Sequence, residues 1–360
     1  MAIEWMDDFT SYGTSAPDLG PSGAGKTRST QGTPYTNQNS YIAADPVVVG
    51  GFCLEVGGTN VNSNTADNNY AIPNPATAIG IAFRYYTGAL PSSAGTRADI
   101  MQWRDFSNNR LYVLRTETNG ALTIYDGSGT LVQSTLVPVI TAAAWWHIET
   151  MLDYATGQIT VYVEGTQVLN ISITIASTII YNLGWSSRQD FTAPFGGSFM
   201  KDFIQYDKSG SHNNAAGSIA PVSVFRLVLN SDVSNGWTIT GGTTVSNTIE
   251  SEPPDDAGHF ISAGQGPFPA AAITTITHLP ASVVGVRAIQ NLQRIKKSDG
   301  GDASYQIDIV SGSSTHTGTT HNPTTSYAYA WDVVELDPAT GALWSPIAVN
   351  NLEVKIDRTV

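Results

Sequence analysis

Charge is scarce in this chain, and what there is leans one way. Only 13% of residues are charged, 17 basic against 30 acidic, for a formal net charge of −13. Helical bundles draw on Glu, Lys, Leu and Ala, so this composition argues against one. The largest basic cluster is RIKK at residues 294–297. A nucleic-acid backbone would be repelled overall, and no nucleic-acid partner is expected. The single cysteine, Cys53, excludes an internal disulfide; within VVVGGFCLEV it reads as a small buried hydrophobe. No apolar run approaches the roughly 20 residues that span a bilayer. The first residues, MAIEWMDDF, have neither the basic nor the apolar region of a secretory signal. These absences predict a protein made in the cytoplasm, with no membrane partner.

What is abundant is glycine, serine, threonine and asparagine among apolar residues, the profile of β-sheet with many turns. A chain of 360 residues is long enough for two domains, each burying its own core. Alternation of period two dominates. AIGIAFRYY places Ile79, Ile81, Phe83 and Tyr85 on one face; WWHIETMLDY does the same with Trp146, Ile148 and Leu152, and GQITVYVEG with Ile159, Val161 and Val163. These read as half-buried antiparallel strands. Hairpin signals lie between them: DGSG at 126–129 and YATG at 154–157.

The composition shifts after Asp207. KSGSHNNAAGSIAP, residues 208–221, is small and polar, the profile of a linker. Strand patterns then resume in VFRLVLN, HFISA, AITTITHL, VVGVRAIQNLQRI, SYQIDIVSG, SYAYAWDVVEL and LEVKI. A short helix is expected at PIAVNNL, with Ser345 as cap and Pro346 in the first turn. The expected organisation is an all-β antiparallel jelly-roll sandwich over 1–207, a linker over 208–221, and a second, smaller β domain over 222–360.

One motif points elsewhere. GPSGAGKT, residues 20–27, matches the phosphate-binding pattern G-x-x-x-x-G-K-[ST] letter for letter. That pattern needs a strand to deliver the loop and a helix to receive the phosphate. Upstream there is no apolar run, and downstream Gly32 and Pro34 fall inside the first two would-be turns. A surface loop is the expected reading, and the only Walker-B-like string, VVELD at 333–337, is followed by Pro338.

Two resemblances add to this. WWHIETMLDYATGQITVYVEG, residues 145–165, resembles the central hairpin of laminin-G-like and concanavalin A-like jelly rolls. In that fold the first strand, WMDDF here, and the last, MKDFIQYD, commonly lie near each other. DPATGALWSPIAVNNLEVKI, residues 337–356, resembles the C-terminal signature of modules in tailed-bacteriophage virion proteins, D-P-x-T-G-x-x-W followed by a short helix and an apolar strand. LPASVVGVRAIQNLQRIKKSDGG, residues 279–301, is similar to the segment preceding it there. The resemblance implies a non-enzymatic structural component of a phage particle, located on the virion as head decoration, spike, fibre or tail tip. Its partners would be copies of itself and other virion proteins. A carbohydrate-binding adhesin recognising a host surface glycan is the alternative.

Catalytic arrangements are sparse. The E-x-D-x-x-E pattern of laminarinase-like enzymes is approached only by ESEPPD, whose Pro253 and Pro254 break any strand between Glu250, Glu252 and Asp255. Glu149 and Asp153 share one face of HIETMLD beside His147, and charged residues on such a strand are expected on its wet side. HTGTTH places His316 and His321 in a Thr/Gly-rich loop, a polar hairpin tip lacking a third metal ligand. No catalytic residue and no cofactor is expected. Calcium suits the carboxylate- and amide-bearing loops better than zinc suits the two histidines, with Asp67 in NSNTADNNY and Asp299 and Asp302 in SDGGDAS as ligand candidates. For sugar stacking the candidates are Trp103 beside Arg104 and Asp105, Trp145 beside Trp146, and Trp185 near Arg188 and Asp190.

Overall fold

The structure is a computed structural model that describes residues 3–7, 40–44, 46–47, 52–56, 68–71, 78–91, 98–105, 109–174, 182–185, 198–207, 210, 212–213, 218–219, 221–249, 258–264 and 270–359. The chain divides into two compact units, Met1–Val224 and Phe225–Val360. The loop at 20–27, the ESEPPD segment and Asp67 lie outside the described residues.

The first unit is a sandwich of two antiparallel sheets. Its strands are β1 (Ile3–Asp7), β2 (Ser40–Ala44), β3 (Phe52–Val56), β4 (Asn68–Ala71), β5 (Ala78–Thr87), β6 (Ala98–Arg104), β7 (Arg110–Thr116), β8 (Leu122–Asp126), β9 (Leu131–Ser134), β10 (Trp145–Asp153), β11 (Gln158–Val163), β12 (Thr166–Ser172), β13 (Asn182–Trp185) and β14 (Ser198–Asp207). One sheet runs β12-β11-β10-β5-β14-β3-β2, with β1 also on β14; the other runs β4-β13-β6-β7-β8-β9. First and last strands are therefore neighbours, with Met6 opposite Ile204. Ile79, Ile81, Phe83, Tyr85, Ile148, Leu152, Ile159, Val161 and Val163 all turn into the core, as their alternation predicts.

Local chemistry sets the hairpins. At 126–129 the Asp126 carboxylate accepts the N–H groups of Ser128 and Thr130 at 2.9 and 2.8 Å, and Gly129 takes φ 89°. At Glu164–Gly165 both residues have positive φ, 50° and 77°, matching the mirror-image turn that joins twisted strands β11 and β12.

The second unit holds β15 (Leu229–Asn235), β16 (Thr238–Thr240), α1 (Val245–Ile249), β17 (Phe260–Ser262), β18 (Ala270–Ile276), β19 (Ile289–Ile295), β20 (Tyr305–Ser311), β21 (Ser314–His316), β22 (Ala328–Val334), α2 (Pro346–Asn350) and β23 (Glu353–Arg358). A five-stranded sheet runs β15-β18-β23-β20-β21, accompanied by the pairs β16–β17 and β19–β22. Two details differ from the alternation pattern. VFRLVLN enters its strand only at Leu229, and α1 has no counterpart among the expected helices.

The D-P-A-T-G-A-L-W segment is the hub of this unit. Asp337 is buried and accepts the Ala339 N–H at 2.9 Å, while Gly341 closes the turn with φ 67°. Trp344 is 2% exposed, donates its indole N–H to the Val334 carbonyl at 3.0 Å, and packs with Ile276, Ile309, Val334, Val349 and Leu352. Ser345 then caps α2, its hydroxyl accepting the Ala348 N–H at 3.1 Å. The would-be Walker-B Asp337 is thus a turn residue.

Candidate functional site

The outer face of the eight-stranded sheet carries residues that the alternation leaves out of the core. Across β14, β5 and β10 they form rows: Tyr206, Gly80 and Met151; Ile204, Ala82 and Glu149; Lys201, Arg84 and His147; Phe199, Tyr86 and Trp145. The first two rows are buried, the third is buried only at His147, and the last is half-buried along its length.

The expectation of a wet face on β10 is corrected here. His147 and Glu149 are fully buried, and Asp153 is 8% exposed. The cover at Glu149 comes from the segment after β14. Ser218 donates its hydroxyl to Glu149 Oε1 at 2.6 Å, and the Ile219 N–H donates to Oε2 at 3.0 Å. A third donor arrives from within the sheet, since Tyr206 Oη reaches Oε2 at 3.2 Å. Its ring crosses directly over Gly80, where a Cβ would run into the ring carbons. Only glycine fits under that ring. Burial, and next the Glu149 carboxylate, push the Tyr206 phenol well up, so it stays protonated and donates.

The same segment is held a second time. Asp202 is the extra residue of a β-bulge between Lys201 and Ile204, at φ 54°. Its carboxylate meets Arg84 Nε at 3.2 Å and accepts hydrogen bonds from Ser223 and the Val224 N–H. Residues 218–219 and 221–224 therefore form a strap on the outer face, latched at Glu149 and at Asp202. Asp153 acts locally, where its Oδ1 accepts the N–H groups of Ala155 and Thr156 at 3.0 and 3.1 Å and closes the β10–β11 turn.

The half-buried row is an aromatic platform. Phe199, Tyr86 and Trp145 stand side by side on three adjacent strands, all half-buried. Ring centroids are 5.8 Å apart for Phe199 and Tyr86 and 5.5 Å for Tyr86 and Trp145, with tilted or edge geometry. The Lys201 ammonium lies 4.4 Å from the Trp145 ring centroid. A surface of this kind offers ring edges and faces to an apolar sugar surface and a cation to its oxygens. Tyr86, Phe199 and Lys201 carry no signal of their own in the sequence, because their adjacency to Trp145 is across strands.

The other sequence candidates are placed as follows. Trp103 is 1% exposed and belongs to the core between the sheets. Its neighbours are committed elsewhere: Arg104 donates to Gln102 Oε1, Gln102 to Asp99, and Asp105 binds Asn109. Trp185 ends β13, while its side chain and residues 188 and 190 are outside the described residues. Asp299 and Asp302 are exposed beyond β19, and Asp299 accepts the Gly301 N–H at 2.8 Å. Among the described residues no group of three or more His, Cys, Asp or Glu stands together as a metal site. The two histidines of HTGTTH are not at a hairpin tip: His316 pairs with Ile309, and His321 stacks on Tyr305 and meets Asp332 at 3.2 Å.

No family model matches this chain, and no curated protein matches it. Among solved structures it is similar to the cellulose-induced protein Cip1, at 13% identity over 56% of this chain and 96% of that one, with a TM-score of 0.40. An alginate lyase of polysaccharide lyase family 7 aligns at 11% identity over 46% and 81%, TM-score 0.34. The carbohydrate-binding module CBM66 from Bacillus subtilis aligns at 10% identity over 47% and 92%, TM-score 0.30. The class that the sheets themselves define is an all-β jelly-roll sandwich followed by a smaller β unit.

Two buried groups under the strap give the fold opposed pH responses. Burial, aided by Arg84, pushes the His147 imidazole down to about 4. Its unfolded form takes up a proton below about 6.5, so stability is lost as pH falls from there towards 4. Burial pushes the Asp202 carboxyl up to about 6, against the pull of Arg84, Lys201 and its strap donors. That contribution is present below the ordinary carboxylate range and is lost as pH rises through 6. The two slopes oppose each other in the wild type. Asp202→Asn keeps a residue that tolerates positive φ and removes one slope. Urea unfolding should then show the variant losing about 2 kcal/mol more than wild type between pH 7 and pH 4.5; parallel pH profiles would refute this.

Proposed function

We propose that this chain is a non-enzymatic carbohydrate-binding protein whose first unit holds a host-surface glycan on the Phe199–Tyr86–Trp145 platform. The observation that carries this reading is the platform itself: three half-buried aromatics on one face, with the Lys201 ammonium 4.4 Å from the Trp145 ring. A contiguous row of partly exposed aromatics is a surface that a ligand can use. The ionisable residues nearby support binding rather than catalysis. Glu149 and Asp153 are four residues apart on one strand, roughly 13 Å along it. Hydrolytic carboxylate pairs stand at about 5–5.5 Å or 6.5–9.5 Å. Both carboxylates are also occupied by hydrogen bonds of the fold. Trp145→Ala should weaken glycan retention about tenfold on an array or in affinity electrophoresis, with the melting temperature nearly unchanged. Wild-type retention in the folded variant would move the site elsewhere.

A second reading, compatible with the first, is favoured by a separate observation. The segment resembling the phage virion module, residues 337–356, closes the core of the second unit through Asp337, Trp344 and the Ser345 cap. On the resemblance of that segment we infer a structural part of a phage particle, located on the virion and contacting copies of itself and other virion proteins. A building block of this kind acts through symmetric contacts. Light scattering on the purified chain should give a trimer or larger ring; a clean monomer at micromolar concentration counts against this second reading.

A further inference from the structure

The second unit carries a surface of different chemistry on its β19–β22 pair. Ile289, Ile295 and Val334 face the unit's cores. By alternation, Leu292 and Arg294 on one strand stand on the opposite face with Trp331 and Tyr329, their paired partners. Lys296 and Tyr327 continue that face just past the strand ends. Tyr327, Tyr329 and Trp331 are half-buried and Lys296 is exposed. The Arg294 guanidinium carbon lies 5.1 Å from the Tyr329 ring centroid and 5.3 Å from that of Tyr327, and Lys296 Nζ lies 4.4 Å from Tyr327.

Two cations are thus held on tyrosine faces at positions two residues apart, roughly 7 Å along the strand. They belong to residues 294–297, the densest basic run in a chain of net charge −13. Resting on the rings leaves the long side chains with less rotamer freedom to lose when an anion docks. Because cations cover the tyrosine faces, the surface presents charged N–H donors flanked by Trp331 and Leu292, not a bare stacking platform.

We propose that this face binds an acidic polysaccharide, a chain with about one carboxylate or sulfate per sugar, lying along β19–β22. Spaced charges and apolar sugar faces complement alternating cations and rings. Duplex nucleic acid fits less well: it carries one charge per roughly 1.7 Å, which two cations hardly neutralise. The site is separate from the Trp145 platform and uses none of its residues.

The test is affinity electrophoresis of the full chain in gels containing polygalacturonate, dextran sulfate or neutral dextran. Both acidic polymers are expected to retard the wild type, and neutral dextran is not. The Arg294→Gln/Lys296→Gln double variant should bind about tenfold more weakly. Arg294→Lys, which keeps the charge and loses the planar fork, should fall between. Trp145→Ala should behave as wild type on the acidic polymers, which separates failure here from failure of the first-unit reading. Equal retardation of wild type and the double variant, both with wild-type melting curves, overturns the proposal. So does loss of acidic-polymer binding in Trp145→Ala, or tighter binding to a DNA duplex than to either acidic polymer.

Discussion

The carboxylate of Glu149 is the group on which the outer face of the first unit depends. A fully buried carboxylate left without partners costs several kcal/mol. Here three donors converge on it, from Tyr206, Ser218 and Ile219. Each donor imposes something on the fold. Tyr206 reaches Glu149 only by crossing β5, which requires Gly80 beneath its ring. Ser218 and Ile219 bring the chain back over the sheet after its last strand, and Asp202 takes hold of the same strap at Ser223 and Val224. The sheet face is divided as a result. The strap covers Glu149 and meets Asp202, and the aromatic row beyond them is half-buried.

That division assigns roles to the ionisable residues. Glu149, Asp202 and Asp153 each accept hydrogen bonds that hold a strap or a turn. His147 is kept neutral by its burial near Arg84. Among the described residues, the half-buried end of the face holds Phe199, Tyr86, Trp145 and Lys201. In the second unit the same pairing of ring and cation recurs on β19–β22, while a buried tryptophan, Trp344, organises the core beneath.

Much of the fold is legible in the residues. The inward faces of β5, β10 and β11 follow their alternation, the turns at 126–129 and 154–157 follow their Asp and Gly, and Ser345 caps α2 as its hydroxyl and the following proline suggest. The outer face of β10 departs from its pattern for a physical reason. Alternation tells which residues share a face but not what lies on it, and the partner of Glu149 is 70 residues away in a segment with linker composition. The tryptophans show the same limit. Trp103 and Trp145 both sit in strands, yet one is enclosed between two sheets and the other is half-buried beside Tyr86. Composition does not separate them; cross-strand neighbours do.

The latch is tested most directly by amide hydrogen exchange at Ile219 and Val224, resolved residue by residue at neutral pH. If Glu149 and Asp202 hold the strap, these two N–H groups exchange slowly, near the rate of the β10 amides. In Glu149→Gln, which keeps one acceptor oxygen and loses the charge, Ile219 should exchange distinctly faster. Exchange of Ile219 and Val224 in wild type at the rate of an open loop would contradict the account, because the outer face would then have no fixed cover.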